Sequence, residues 1–189
     1  MRASWPFSDL RFCLGAPLLI SSLVPMPALA QSGQSAQGSA SAEVVEPIRA
    51  VSLADLSFGA ISVARGGAGQ VEVDPDGSTV RYLQAARPQC GGGGGCAPHP
   101  GSFAVFGAAN QTYSVSLPFQ IIARGRETGR GLVVGDLEMR SVNAAAQASG
   151  GRLDRNGRDT FFVGGTLSVP AGTPSDIFTA ELPVTVSYN

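Results

Sequence analysis

The sequence predicts an all-β fold, an immunoglobulin-like β-sandwich of about 7–9 short antiparallel strands. Three observations carry that prediction. Apolar residues alternate with polar or small ones at a period of two, most clearly in Phe178, Ala180, Leu182, Val184, Val186 and Tyr188. Successive side chains of a strand point to opposite faces, so such a row makes one apolar face. Turn signals recur between the alternating stretches: Asp74-Pro-Asp-Gly77, Asn156-Gly157 and Ala171-Gly-Thr-Pro-Ser175, each rich in the residues that turns require. No stretch carries the spacing of an amphipathic helix.

Residues 1–30 read as a cleaved secretory signal peptide. Arg2 and Arg11 form a basic start, Cys13 to Val24 is apolar, and Ala28-Leu29-Ala30 is a small-x-small cleavage site, too short a run for a membrane span. Residues 31–41 are Gln, Ser, Gly and Ala, a flexible low-complexity lead-in. A single domain is expected over residues 42–189. It opens on a weak strand over 42–51, which Pro47 confines to an edge or a bulge. Leu53, Leu56, Phe58, Ile61 and Val63 continue the extended pattern. Val71 and Val73 lead into the Pro-Asp-Gly turn and Val80 and Tyr82 lead out, a hairpin signal.

Ser102 to Phe106 reads as a short strand. Tyr113, Val115, Leu117, Phe119 and Ile121 read as one long strand with Pro118 at an edge or bend. Leu132 to Val134, with Leu137 and Met139, give a further strand or bent pair, and Asn143 to Gly151 reads as a loop. Asn156-Gly157 predicts a hairpin turn into Phe161, Val163, Gly165, Leu167 and Val169. Residues 177–189 are the last strand. Its first task is core, and its backbone edge is what stays open to a partner.

Composition removes several function classes. Net charge is −1 at pH 7, and all 13 basic residues are Arg. A near-neutral chain without a basic, aromatic-interleaved patch makes nucleic acid an unexpected partner. Without lysine there is no P-loop. The only histidine, His99, lies between Pro98 and Pro100, and no Gly-x-Ser-x-Gly elbow exists to build a nucleophile. Glu72, Asp136, Glu138 and Asp154 are compatible with a carboxylate pair, and equally with a solvated sheet face. The Asp-x-Asp-Gly core at residues 74–77 lacks the further acids of a calcium loop and reads as a turn. Cys90 and Cys96 remain after export, and an even count in an oxidising compartment predicts a disulfide closing a small loop. A metal site from Cys90, Cys96 and His99 is the alternative, though it lacks a fourth ligand. No enzyme activity, cofactor or metal is expected.

Several segments together resemble a known pattern: Glu46-Pro-Ile48, Leu56-Ser-Phe-Gly59, Ser102 to Gly107, Tyr113 to Pro118, Phe162-Val-Gly-Gly-Thr-Leu167 and Val184 to Asn189. In these the chain resembles the bacterial domain of unknown function 4402. Its last strand is similar to those of chaperone–usher pilins and of spore-coat U type secreted domains. That resemblance implies an exported pilin-like structural or adhesive subunit of a surface appendage or coat, found in the periplasm or at the cell surface. It implies as partners a periplasmic chaperone and sibling subunits that donate a strand. The assembly strand would be Phe178, Ala180, Leu182, Val184, Val186 and Tyr188, and the donor strand Ala40, Ala42 and Val44. Where many pilins carry a glycine, this chain has Asp176. A self-complete secreted sandwich that binds a glycan or other surface ligand is the alternative.

Overall fold

The computed structural model describes residues 39, 41–42, 44, 46–90 and 96–189. The expected signal peptide, most of the lead-in and Ala40 lie outside the described residues. The chain divides into Met1–Ala42 and a compact unit, Glu43–Asn189, and the fold below is that of the second.

All regular structure described there is β. The strands are β1 (Arg49–Ala54), β2 (Ile61–Val63), β3 (Gly69–Val73), β4 (Val80–Gln84), β5 (Ala86–Pro88), β6 (Gly101–Phe106), β7 (Thr112–Ser116), β8 (Gln120–Gly125), β9 (Gly131–Ser141), β10 (Gly150–Arg152), β11 (Arg158–Val169), β12 (Phe178–Thr179) and β13 (Thr185–Tyr188). That is more strands than the alternation predicts, because the runs 113–121 and 177–189 each break where they change sheet, and β5 and β10 are additional.

The large sheet runs β1-β6-β11-β9-β8-β12, with the β3–β4 hairpin attached to β11. The 12 residues of β11 are its axis. The first half of β11 pairs with β6, the second half pairs with β3 on the same edge, and β9 lines the opposite edge throughout. The predicted alternation along β11 holds: Asp159, Phe161, Val163, Leu167 and Val169 are all buried. Opposite its first half lies the three-stranded sheet β10-β7-β13. Between them sits a core of Val105, Tyr113, Val115, Met139, Leu153, Phe161 and Val163. Phe103 stacks on Phe161 with ring centroids 5.1 Å apart. Over the second half, Phe58, Ile61 and Val63 pack against a second core of Ala123, Leu132, Val134, Leu167 and Val169. Large side chains buried in this way are worth about 1.5–3 kcal/mol each, so the two clusters dominate the stability of the sandwich.

The Asp74–Thr79 turn joins β3 to β4 as the sequence predicts, closed by the Asp74 amide donating to the Thr79 carbonyl at 3.1 Å. Other expectations need correction. The run from Tyr113 to Ile121 is two strands. Pro118 has no N–H for a ladder, and there the chain leaves the small sheet for the large one. Phe119, expected among the inward row, is 91 % exposed at that crossing. Of the strand or bent pair expected over Leu132 to Met139, the structure has the single strand, as expected, with a bulge opposite Gly165 where Asp136 takes φ +48°.

The stretch 143–151, read as a loop, ends in β10. Its Gly150 and Gly151 pair with Ser114 and Tyr113, and a Cβ on Gly151 would run into the Tyr113 hydroxyl and lie 2.7 Å from Asp159. The Asn156-Gly157 turn closes tightly, with the Gly157 amide donating to the Asp154 carbonyl at 3.1 Å. It links β10 to β11 across two sheets rather than as a paired hairpin. The first strand begins at Arg49, so the described residues 42, 44 and 46 to 48 precede it rather than form it.

Candidate assembly edge

The last strand of the sequence is two pieces. Phe178 and Thr179 pair with Gly125 and Arg124 at the edge of the large sheet, and Phe178 packs on the second core. The chain then crosses through Ala180 to Val184 without a ladder, and Thr185–Tyr188 pairs with Ser116–Tyr113. Ala180 is exposed, so the row expected to be continuous is interrupted there. Leu182, Val184, Val186 and Tyr188 pack on the first core and stay half-buried.

The direction of the backbone groups follows from the neighbours. Val115 donates its amide to Ser149 at 2.8 Å, and Leu153 donates to the Gln111 carbonyl at 2.9 Å. The odd-numbered residues of β7 therefore bond toward β10, and Thr112, Ser114 and Ser116 bond toward β13. Asn189 donates to the Thr112 carbonyl at 3.3 Å. Thr185, Ser187 and Asn189 thus face β7, while the amides and carbonyls of Val186 and Tyr188 point to the outer edge. That edge has no strand beside it among the described residues.

Tyr188 ties this edge to the start of the domain. Its hydroxyl donates to the Glu46 carbonyl at 2.7 Å and accepts from the Ala108 amide at 2.6 Å. Gly107 makes room, because a Cβ there would collide with the Tyr188 hydroxyl. Glu46 lies just ahead of β1, itself an edge strand of the large sheet. β13 and β1 are thus the outer strands of their sheets among the described residues, and Ile48, just ahead of β1, packs on the first core. Of the expected donor residues, Ala42 and Val44 are exposed and belong to no strand.

Asp176 has a structural task. Its carboxylate accepts from the amides of Glu127, Thr128 and Ile177 at 2.7–3.2 Å and from the Thr128 hydroxyl at 2.6 Å. It fastens the β8–β9 turn, and those donors, led by Thr128, hold its carboxyl well below the usual range. A glycine there could not do this.

A second network was not read from the sequence. Asp159, 5 % exposed, accepts from the Tyr113 hydroxyl at 2.8 Å, the Ser141 hydroxyl at 2.6 Å, and the amides of Asn143 and Thr160 at 3.2 and 2.7 Å. Burial and the Asp159 carboxylate push the Tyr113 phenol well above its ordinary value. The network joins β7, β9 and β11 across the sandwich. Its signal in the sequence is an acid on the inward parity of Phe161 and Val163.

Cys90 and Cys96 are joined by a disulfide with their Cα atoms 5.9 Å apart. Both flanks are tied to one residue: Ala60 donates to the Cys96 carbonyl at 3.1 Å, and Gln89 donates to the Ala60 carbonyl at 2.9 Å. His99 exchanges backbone bonds with Ser57, and its Nδ1 is 3.2 Å from the Pro100 carbonyl. Glu72, Asp136 and Glu138 line one small cleft beside Gly165, and Glu72 pairs with Arg81 at 2.8 Å. Asp154 lies apart from them, accepting from the amides of Asn156 and Arg158 at 2.8 and 2.9 Å in its own turn.

Fold and edge together define an all-β, two-layer domain of antiparallel sheets in which β1 and β13 are outer strands among the described residues. The family model for the domain of unknown function DUF4402 matches residues 48–188, and the chain belongs to that family. No curated protein and no solved structure matches it.

Proposed function

We propose that the chain is an exported, non-catalytic structural subunit of a bacterial surface appendage or coat, whose sandwich accepts an added strand alongside β13. The carrying observation is the outer edge of β13. There the backbone groups of Val186 and Tyr188 point away from β7, next to an apolar row that stays half-exposed. Strand addition supplies main-chain bonds to such an edge and fills its apolar row with alternate side chains. The donor is the lead-in of a sibling subunit, with Ala40, Ala42 and Val44 as its inward row, and a periplasmic chaperone occupies the edge first.

A peptide of residues 36–46 added to the purified domain tests this by amide hydrogen exchange. Protection of the Val186 and Tyr188 amides by the peptide, and none by a scrambled one, is expected. Unchanged exchange at saturating peptide would sink the proposal.

A second reading, a self-complete binding module, draws on one feature. A shallow polar hollow of about 390 Å³ lies beside the end of β13, lined by Ser114, Gln147, Ser149 and Asn189 among others. A glycan panel that shifts the Ser114 and Gln147 resonances, with β13 unaffected, favours that reading instead.

A further inference from the structure

We infer that the end of the sandwich closed by the β8–β9 turn is a docking face for a membrane rich in anionic lipid, on which the domain stands end-on. The inference does not depend on strand addition at β13, which lies in the other sheet.

Three loops close this end. Val169 pairs with Gly69, and one step back Ser168 pairs with Val133, so β11 finishes level with the starts of β3 and β9. Beyond that level lie the β2–β3 turn at residues 64–68, the β8–β9 turn at 126–130 and the loop after β11 at 170–175. The first of these belongs here because Val63 packs on the second core and lies 3.1 Å from where a Cβ on Gly69 would stand.

The end is basic. Arg65, Arg124, Arg126 and Arg130 are exposed, and none forms an ion pair, the one such pair among the described residues being Arg81–Glu72. Arg87 adds a fifth charge, its guanidinium donating to the Gln84 and Ala86 carbonyls at 3.0 and 2.6 Å. Two acids stand against them. Asp176 has its carboxylate turned into the hairpin by the amides of Glu127 and Thr128, and Glu127 is exposed in the turn. The loop 170–175 carries no charge. Glu181 lies two residues beyond Thr179, roughly 7 Å of chain leading away from the turn.

The acids of the middle of the sheet are further off. Glu72 lies opposite Thr166 and Glu138 opposite Gly164, with Asp136 in the same cleft. Those rows are roughly 10 and 17 Å along β11 from Val169. Screening at physiological salt acts over about 8 Å, so a surface touching the turns meets their surplus of positive charge and little of the acidic belt.

The shape fits a plane rather than a single ligand. Gly66, Gly129 and Gly172 stand in the three loops with open space where a Cβ would be, so no side chain rises from those positions. The polar hollow and the acidic cleft are lined by residues elsewhere. From β3 across β11 and β9 to β8 is three strand spacings, roughly 15 Å, so the arginines are spread across several headgroups. Guanidiniums take phosphate oxygens two at a time. Ile177, 63 % exposed, accepts the Arg126 amide at its carbonyl at 2.9 Å. An apolar side chain among cations suits the boundary between headgroups and acyl chains.

Co-sedimentation of the purified chain, processed as the cell leaves it, with lipid vesicles tests this. Phosphatidylcholine vesicles doped with phosphatidylglycerol should carry the chain down at low salt and release it at high salt, and phosphatidylcholine alone should carry none. Arg124→Gln with Arg126→Gln and Arg130→Gln should weaken partitioning about a hundredfold, each arginine near an anionic surface contributing about fivefold. Arg49→Gln with Arg158→Gln, toward the other end of the large sheet, should leave partitioning unchanged. Circular dichroism and thermal melts establish that both variants fold. A wild type that ignores the anionic vesicles, whether or not it binds the soluble polyanion alginate, would overturn the inference. So would a folded triple variant that binds as tightly as the wild type, or equal losses in the two variants.

Discussion

The Tyr188 hydroxyl donates to the Glu46 carbonyl at 2.7 Å, so the last strand holds the segment that precedes the first. The same oxygen accepts the Ala108 amide. Tyr188→Phe keeps the ring on the core and removes both bonds, leaving the partly buried Ala108 N–H without its acceptor. A loss of about 1–3 kcal/mol in urea unfolding is expected, with faster exchange of the Ala108 amide. Unchanged exchange there would mean the phenol does not fasten the two ends.

Tyr113 gives the domain an alkaline limit. Its folded-state pKa is raised, so the folded chain holds that proton more tightly than the unfolded one. The contribution is fully present below about pH 10, the unfolded tyrosine value, and is lost as pH rises above it. Ultraviolet titration should find one of the 3 tyrosines ionising only as the chain unfolds. Tyr113→Phe should flatten the alkaline decline and lower stability at pH 7 by about 1–3 kcal/mol, since Asp159 loses a donor.

Asp176 acts at the other end of the scale. Its folded pKa is depressed, so its contribution is present above about pH 3.9, the unfolded value, and fades as pH falls below it. Asp176→Asn should weaken the acid dependence of the melting temperature measured between pH 2 and 5. It should also speed exchange of the Glu127 and Thr128 amides. A wild-type slope retained by the variant would assign the acid sensitivity elsewhere.

The disulfide closes a short loop, with a sequence separation of 6. Chain entropy gives it about 2 kcal/mol. Replacing both cysteines by serine should lower stability by no more than that and leave the fold intact by circular dichroism, because Ala60 still bonds both flanks.

Phe119 tests the corrected path of the chain. At 91 % exposure, Phe119→Ser should change stability by less than about 0.5 kcal/mol. A core phenylalanine would cost about 3–5 kcal/mol when truncated.

That contrast marks how far the sequence is legible. A period of two tells which face a side chain takes, and it does so correctly for β11 and for the β3–β4 hairpin. It does not tell which sheet the strand belongs to. Leu117, Phe119 and Ile121 keep one parity while the chain changes layer at Pro118, and Phe178 and Val184 do the same across Ala180. β10 escapes altogether, because Gly150 and Gly151 have no side chains to pattern. Their identity is set by the close approach of Tyr113, nearly 40 residues earlier in the chain. The edge itself was legible as an alternating row ending at Tyr188, while the phenol's bonds to Glu46 and Ala108 are long-range and leave no local trace. The Asp159 network is the intermediate case: an acid on an inward parity signals burial, and only the fold supplies its donors.

The sharing of β11 between both cores has a consequence for how the chain reaches this state. Val105 and Tyr113 wait for Phe161, and Leu132 and Val134 wait for Leu167. A nascent chain that has emerged only as far as residue 157 has β3, β6 and β9 in hand and no strand to join them. Pairing over such separations makes folding slow, and until β11 arrives three apolar strands are without their common neighbour. The two halves of the sandwich thus form in one late event rather than in turn, which leaves the growing polypeptide open to aggregation through most of its synthesis.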